Sequence, residues 1–89
     1  MPRVNQRLFL VWDSEAETIV GSVMVAVNEV VAKRAFVAGI EKNREEPFAE
    51  ASRLLLVGEI TDYGEITPCT PAIVITGAEV LQTLKDNAR

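Results

Sequence analysis

The chain has no histidine and a single cysteine in 89 residues. Those two shortages remove the usual zinc sites and any Ser/His or Cys/His nucleophile. Cys69 has no partner for an internal disulfide and no neighbouring base, which reads as a passive thiol. Five glycines stand isolated, so no phosphate-binding glycine loop exists. Aromatic residues are scarce at 6%: three Phe, one Trp and one Tyr. No run reaches the ~18 apolar residues that a membrane helix needs, and the N-terminus has no signal-type apolar stretch. These features predict a cytoplasmic protein without cofactor, metal or membrane contact. Basic residues are also few. Nine Lys and Arg face thirteen Asp and Glu, for a net charge of −4. Lys33-Arg34 is the only adjacent basic pair. Proteins that hold nucleic acid through its phosphates carry a basic patch, so the charge disfavours autonomous DNA binding and suits a basic protein partner.

What is present is an apolar content of 48%, enough for one core in a single domain, residues 1–89, with 1–6 and 86–89 frayed. Arg53–Pro68 organises the rest. Leu54–Val57 is an apolar run with the length of a strand buried on both faces. After Gly58 the pattern alternates, and Asp62-Tyr63-Gly64 makes a three-residue hairpin loop with Gly64 in the left-handed region. That register sets Thr61 against Glu65, and Ile60 against Ile66 on the core side. Pro68, which has no N–H to donate, ends the return strand.

Arg7–Trp12 reads as a central strand, apolar on both faces, with Trp12 in the core. Ile19–Val27 is a second extended segment, interrupted at Gly21-Ser22 by a bulge or a change of course; Val23, Val25 and Val27 share a face. Asn28 caps a helix over about residues 29–42. Its spacing gathers Val31, Ala32, Ala35, Phe36, Ala38 and Gly39 inward. Val30 and Val37 fall beside Arg34 on the polar side. They are either scattered surface valines or a self-association patch. Asn43–Ser52 is a charged loop in which Pro47 can open a helical turn, with Phe48 tucked beneath. Cys69–Pro71 reads as a turn and Ala72–Ile75 as a last short strand. Thr76-Gly77-Ala78-Glu79 has capping-box spacing and opens a short helix that turns Val80, Leu81 and Leu84 inward. The fold class is α+β: a small, mainly antiparallel sheet, one main helix on a face and a short C-terminal helix.

One constellation could carry chemistry. Glu59 and Glu65 are diagonal neighbours on the hairpin, with Asp62 at its tip and Asp13 near if the first strand pairs beside them. Clustered carboxylates can hold a hard cation or act as an acid/base pair; a solvated acidic tip is the plainer account. Trp12 could stack on a base, and Tyr63 is placed to pack across the hairpin.

Several segments in order resemble the small nonstructural protein family of gokushovirus-type microviruses, which are single-stranded DNA bacteriophages. They are LFLVWDSEAET, the helix step with Arg34 and Phe36, the acidic loop Glu45-Glu46-Pro47-Phe48, and LLLVGEI. The hairpin residues Gly58, Glu59, Gly64, Glu65 and Ile66 complete the set. The resemblance spans roughly residues 8–67. Where family members carry Pro-Glu-Asp-Tyr before the strand, this chain has Phe48-Ala49-Glu50-Ala51, and its turn is shorter. The resemblance implies a non-enzymatic role in viral DNA replication or the switch to packaging. Contacts would be with phage replication or capsid proteins, or weakly with single-stranded DNA. It supplies no catalytic residues.

The residues themselves predict a homodimer. Both central strand segments are apolar on two faces, and one main helix covers one. The dimer surface is either the open sheet face or the helix flank with Val30, Arg34, Val37 and Ile40; Tyr63 is the further candidate for contact.

Overall fold

The Asp62–Gly64 turn closes as its residues dictate. In the computed structural model, which describes residues 4–87, the Gly64 N–H donates to the Thr61 carbonyl at 3.0 Å and the Thr61 N–H to the Glu65 carbonyl at 2.9 Å. Gly64 has φ 81°, a value that favours glycine. The turn joins β3 (Ser52–Thr61) to β4 (Ile66–Thr76), with Ile60 opposite Ile66 and Glu59 opposite Thr67. The Ile pair forms but lies outside the core: Ile66 is 64% exposed.

β4 overturns two expectations. Pro68 does not end the strand, and Cys69–Pro71 is not a turn. One strand runs through both prolines, with Pro68 opposite Gly58 and Ala72 opposite Leu56. It can do so because β4 is an edge, where a missing N–H breaks no ladder on the outer side. Irregularities between Leu56 and Gly58 and between Leu54 and Leu55 absorb the misfit.

β1 (Val4–Asp13) and β2 (Thr18–Ala26) complete a four-stranded antiparallel sheet of order β2-β1-β3-β4. β1 is central, as its apolar faces require. It starts earlier than expected: Val4 pairs with Thr61 and Gln6 with Ile60, so the strand includes residues 4–6. Residues 1–3, 88 and 89 lie outside the described residues. The Gly21-Ser22 interruption is a bulge in a single strand, since Phe9 faces Met24 while Val11 faces Val20. At the β1–β2 turn the buried Asp13 carboxylate accepts the N–H groups of Glu15 (2.9 Å) and Ala16 (3.1 Å). Ser14 donates through both its N–H and its hydroxyl to the Ala51 carbonyl, tying this turn to the chain entering β3.

α1 spans Glu29–Lys42, and the Asn28 side chain caps it through the Val31 N–H at 3.1 Å. Its buried stripe is Ala32, Phe36 and Ile40. That differs from the expected stripe, because Val31, Ala35, Ala38 and Gly39 are exposed. α2 (Pro47–Ala51) opens at Pro47, but Ala49 is its buried residue and Phe48 faces outward. In α3 (Gly77–Asn87) Thr76 accepts the Glu79 N–H at 3.1 Å and its hydroxyl meets the Glu79 carboxylate at 3.2 Å. Val80 is buried, and Leu81 and Leu84 pack half-buried against the core. Residues 86 and 87 are the last two of this helix.

All three helices lie on one side of the sheet. The core beneath them joins Phe9, Ala26 and Leu54 to Ala32, Phe36, Ile40, Ala49 and Val80. Gly77, at the start of α3, packs against the backbone of α2, and a Cβ there would overlap the Ala49 carbonyl. Backbone cannot swing aside as a side-chain tip can. Gly77→Ala is therefore expected to cost about 2–3 kcal/mol, the upper range for overpacking. Urea unfolding checks this: the midpoint should fall with the slope unchanged.

Candidate functional site

The sheet has a second face, and it is apolar. Strand alternation turns Phe9 and Val11 towards the helices, so Leu8, Leu10 and Trp12 point the other way. Their cross-strand partners point with them: Val25 opposite Leu8, Leu55 opposite Leu10, and Ile19 and Arg53 on either side of Trp12. On β4, Ile73 pairs with Leu55 and joins the same face. Leu8, Leu10, Trp12 and Leu55 are half-buried by their neighbours in the sheet alone, and none belongs to the core cluster. Ile73 is 58% exposed, and Ile19 and Val25 are exposed as well. The described residues place no helix over them. Trp12 is thus on the open face and not in the core.

The helix flank resolves differently. Val30 is 57% exposed, and Val30, Lys33, Arg34, Val37, Ala38 and Glu41 line a shallow depression on α1. Val37, however, is half-buried against the core, and Ile40 is part of the core itself. Ile40 is therefore unavailable as a contact residue: its position on the helix coincides with the Ala32–Phe36 stripe that faces the sheet. Val30, Arg34 and the half-buried Val37 are what remain at the surface of the expected flank. Tyr63 does not pack across the hairpin. It is 78% exposed at the tip, as a turn residue beyond the last cross-strand pair must be.

The carboxylates do not assemble. Asp62 accepts a hydrogen bond from the Asn5 amide at 3.0 Å, which binds the hairpin tip to the start of β1. Glu59 has Arg7 as its neighbour on β1, and Glu65 is exposed. Asp13 pairs with Ser52, at the end of β3 far from the tip. Among the described residues, no three His, Cys, Asp or Glu side chains are placed to hold a metal ion. The Cys69 thiol is half-buried and points to the Leu56 carbonyl at 3.9 Å. A second depression, between the α1–α2 loop and α3, is lined by residues of both charges, including Arg44, Glu45, Glu50 and Lys85.

Compared with protein-family models, curated proteins and solved structures, the chain matches none. Among the described residues, no helix is long and apolar enough to cross a membrane.

Glu65 is exposed, Glu59 is half-buried, and the hairpin tip is held by the Asp62–Asn5 bond, so neutralising the two glutamates should leave the fold alone. Glu59→Gln/Glu65→Gln is expected to change stability by no more than about 0.5 kcal/mol, the usual range for surface positions. Thermal unfolding of the double variant beside the parent measures it.

Proposed function

We propose that this is a non-enzymatic protein that works by contact. Its setting is that of a bacteriophage nonstructural protein acting in viral DNA replication, or in its switch to packaging, in the host cytoplasm. The observation that supports action by contact is the open apolar sheet face. An exposed apolar surface rimmed by polar residues marks a site of association. The phage setting rests on the ordered segments that resemble the gokushovirus-type family, with Arg34 and Phe36 on α1 and Gly58, Glu59, Gly64, Glu65 and Ile66 on the β3–β4 hairpin. Of the helix step, Phe36 is buried in the core and Arg34 is exposed. Net charge of −4 favours protein partners, such as a replication initiator or capsid protein, over phosphate backbones. Single-stranded DNA contact is then secondary, weak and sensitive to salt.

A second reading is a structural adaptor that works by homo-oligomerisation and has no nucleic-acid role. The same open face favours it.

Immobilised protein challenged with phage replication initiator, phage procapsid and phage single-stranded DNA separates the two. Capture of initiator or procapsid, with DNA retained only at low salt, is the expected result. Silence in all three assays would overturn the phage reading and leave the adaptor.

A further inference from the structure

We infer that the open sheet face is covered by a second copy of this chain, two sheets packing face to face about a two-fold axis. The inference rests on the reading of the protein as one that acts by contact, and not on the phage setting. Area carries the argument. The chain exposes 6107 Å². A compact monomer of 9.8 kDa exposes about 5,200 Å² by the usual scaling with mass. The surplus over the whole chain is roughly 900 Å², enough to include the ~800 Å² that each partner buries in a standard interface. Shape agrees: the radius of gyration is 14.0 Å, against about 12 Å for a compact chain of this length. The Cα extents are 49 × 28 × 17 Å, a slab of one sheet and one helix layer. Pairing two slabs through their sheets makes four layers around a second core, with sheets at the ~10 Å spacing of a sandwich.

Chemistry selects the same occupant. The middle of the face is Leu8, Leu10, Leu55 and Ile73; Trp12 lies towards one end, where its partner on β3 is Arg53. A face whose middle is apolar and whose one charge lies at an end can meet a second copy of itself about a two-fold axis with that charge at the rim. The competing mode is edge pairing. The β4 edge is blunted by Pro68 and Pro71, while β2 carries neither proline nor charge from Ile19 to Ala26. Pairing of β2 edges would extend the sheet but leave its open face wet, so it does not remove the surplus area.

Trp12 is the only tryptophan and sits on this face, so it reports on its own burial. Sedimentation equilibrium of the full chain at tens of micromolar should give twice the 9.8 kDa chain mass. Dilution through the dissociation midpoint should shift Trp12 emission to longer wavelength. Ile73→Lys, at an exposed edge position, should weaken association at least tenfold with far-UV circular dichroism unchanged. Val30→Asp, on the helix side, should leave association as it was. If Ile73→Lys fails to fold, Val25→Lys on β2 makes the same test. A monomer at these concentrations overturns the inference. So does a dimer that survives both open-face variants, or one whose dissociation leaves Trp12 emission fixed, as edge pairing predicts. Failure here leaves capture of a phage partner open, and failure of that capture leaves the dimer standing.

Discussion

The structure depends on the antiparallel pairing of β1 with β3 at the centre of the sheet. Both strands carry apolar side chains on both faces, and a strand can turn only alternate residues towards a given layer. Phe9, Val11, Leu54 and Leu56 pack against the core on the helix side; Leu8, Leu10, Trp12 and Leu55 remain on the other. The chain has helix enough for one layer. α1 and α3 lie side by side over the sheet, and the five-residue α2 closes the end where β3 begins. Every other feature adjusts to that allocation, from the close approach at Gly77 to the exposure of β2.

The ends of the elements are fixed by polar groups that the core cannot supply. Asn28 begins α1, Thr76 and Glu79 begin α3, and Asp13 with Ser14 anchors the β1–β2 turn to Ala51. Each satisfies backbone donors or acceptors that would otherwise be left open at a turn or helix end. These bonds set the elements' limits and so decide which residues reach the core. They also leave these polar groups at the ends of the elements.

Local signals were legible in the sequence. The hairpin loop follows from Asp62-Tyr63-Gly64, the α1 start from Asn28, and the α3 start from the Thr76–Glu79 spacing, because each is decided within a few residues. The misread features depend on position within the whole. Pro68 and Pro71 look like terminators until β4 is known to be an edge. α1 carries alanine, valine and glycine nearly all round, so its spacing alone does not distinguish Val31 from Ile40 as the inward residue; the sheet beneath it does. Trp12 reads as core because large aromatics usually are, and only the placement of all three helices on one side puts it outside. The open face, the main candidate site, was legible as an imbalance between apolar strand faces and available helix. Val30 and Val37 do lie beside Arg34 along one depression on α1, and only Ile40 of the expected flank is withdrawn into the core.

The strand order has a kinetic consequence. β2 lies beside β1 in sequence, but β3 must return from beyond α1 and α2 to pair on the other side of β1, as Asp13 does with Ser52. Contacts of that span carry a loop-closure cost before they return any stabilisation. The β1–β2 hairpin and α1 therefore emerge first, with the inner edge of β1 unpaired until residues 52–61 arrive. Through that interval the apolar residues of β1 have one strand for company instead of two. On a ribosome making ~5–20 residues per second, the wait lasts seconds, and the chain is then most open to pairing with the wrong edge.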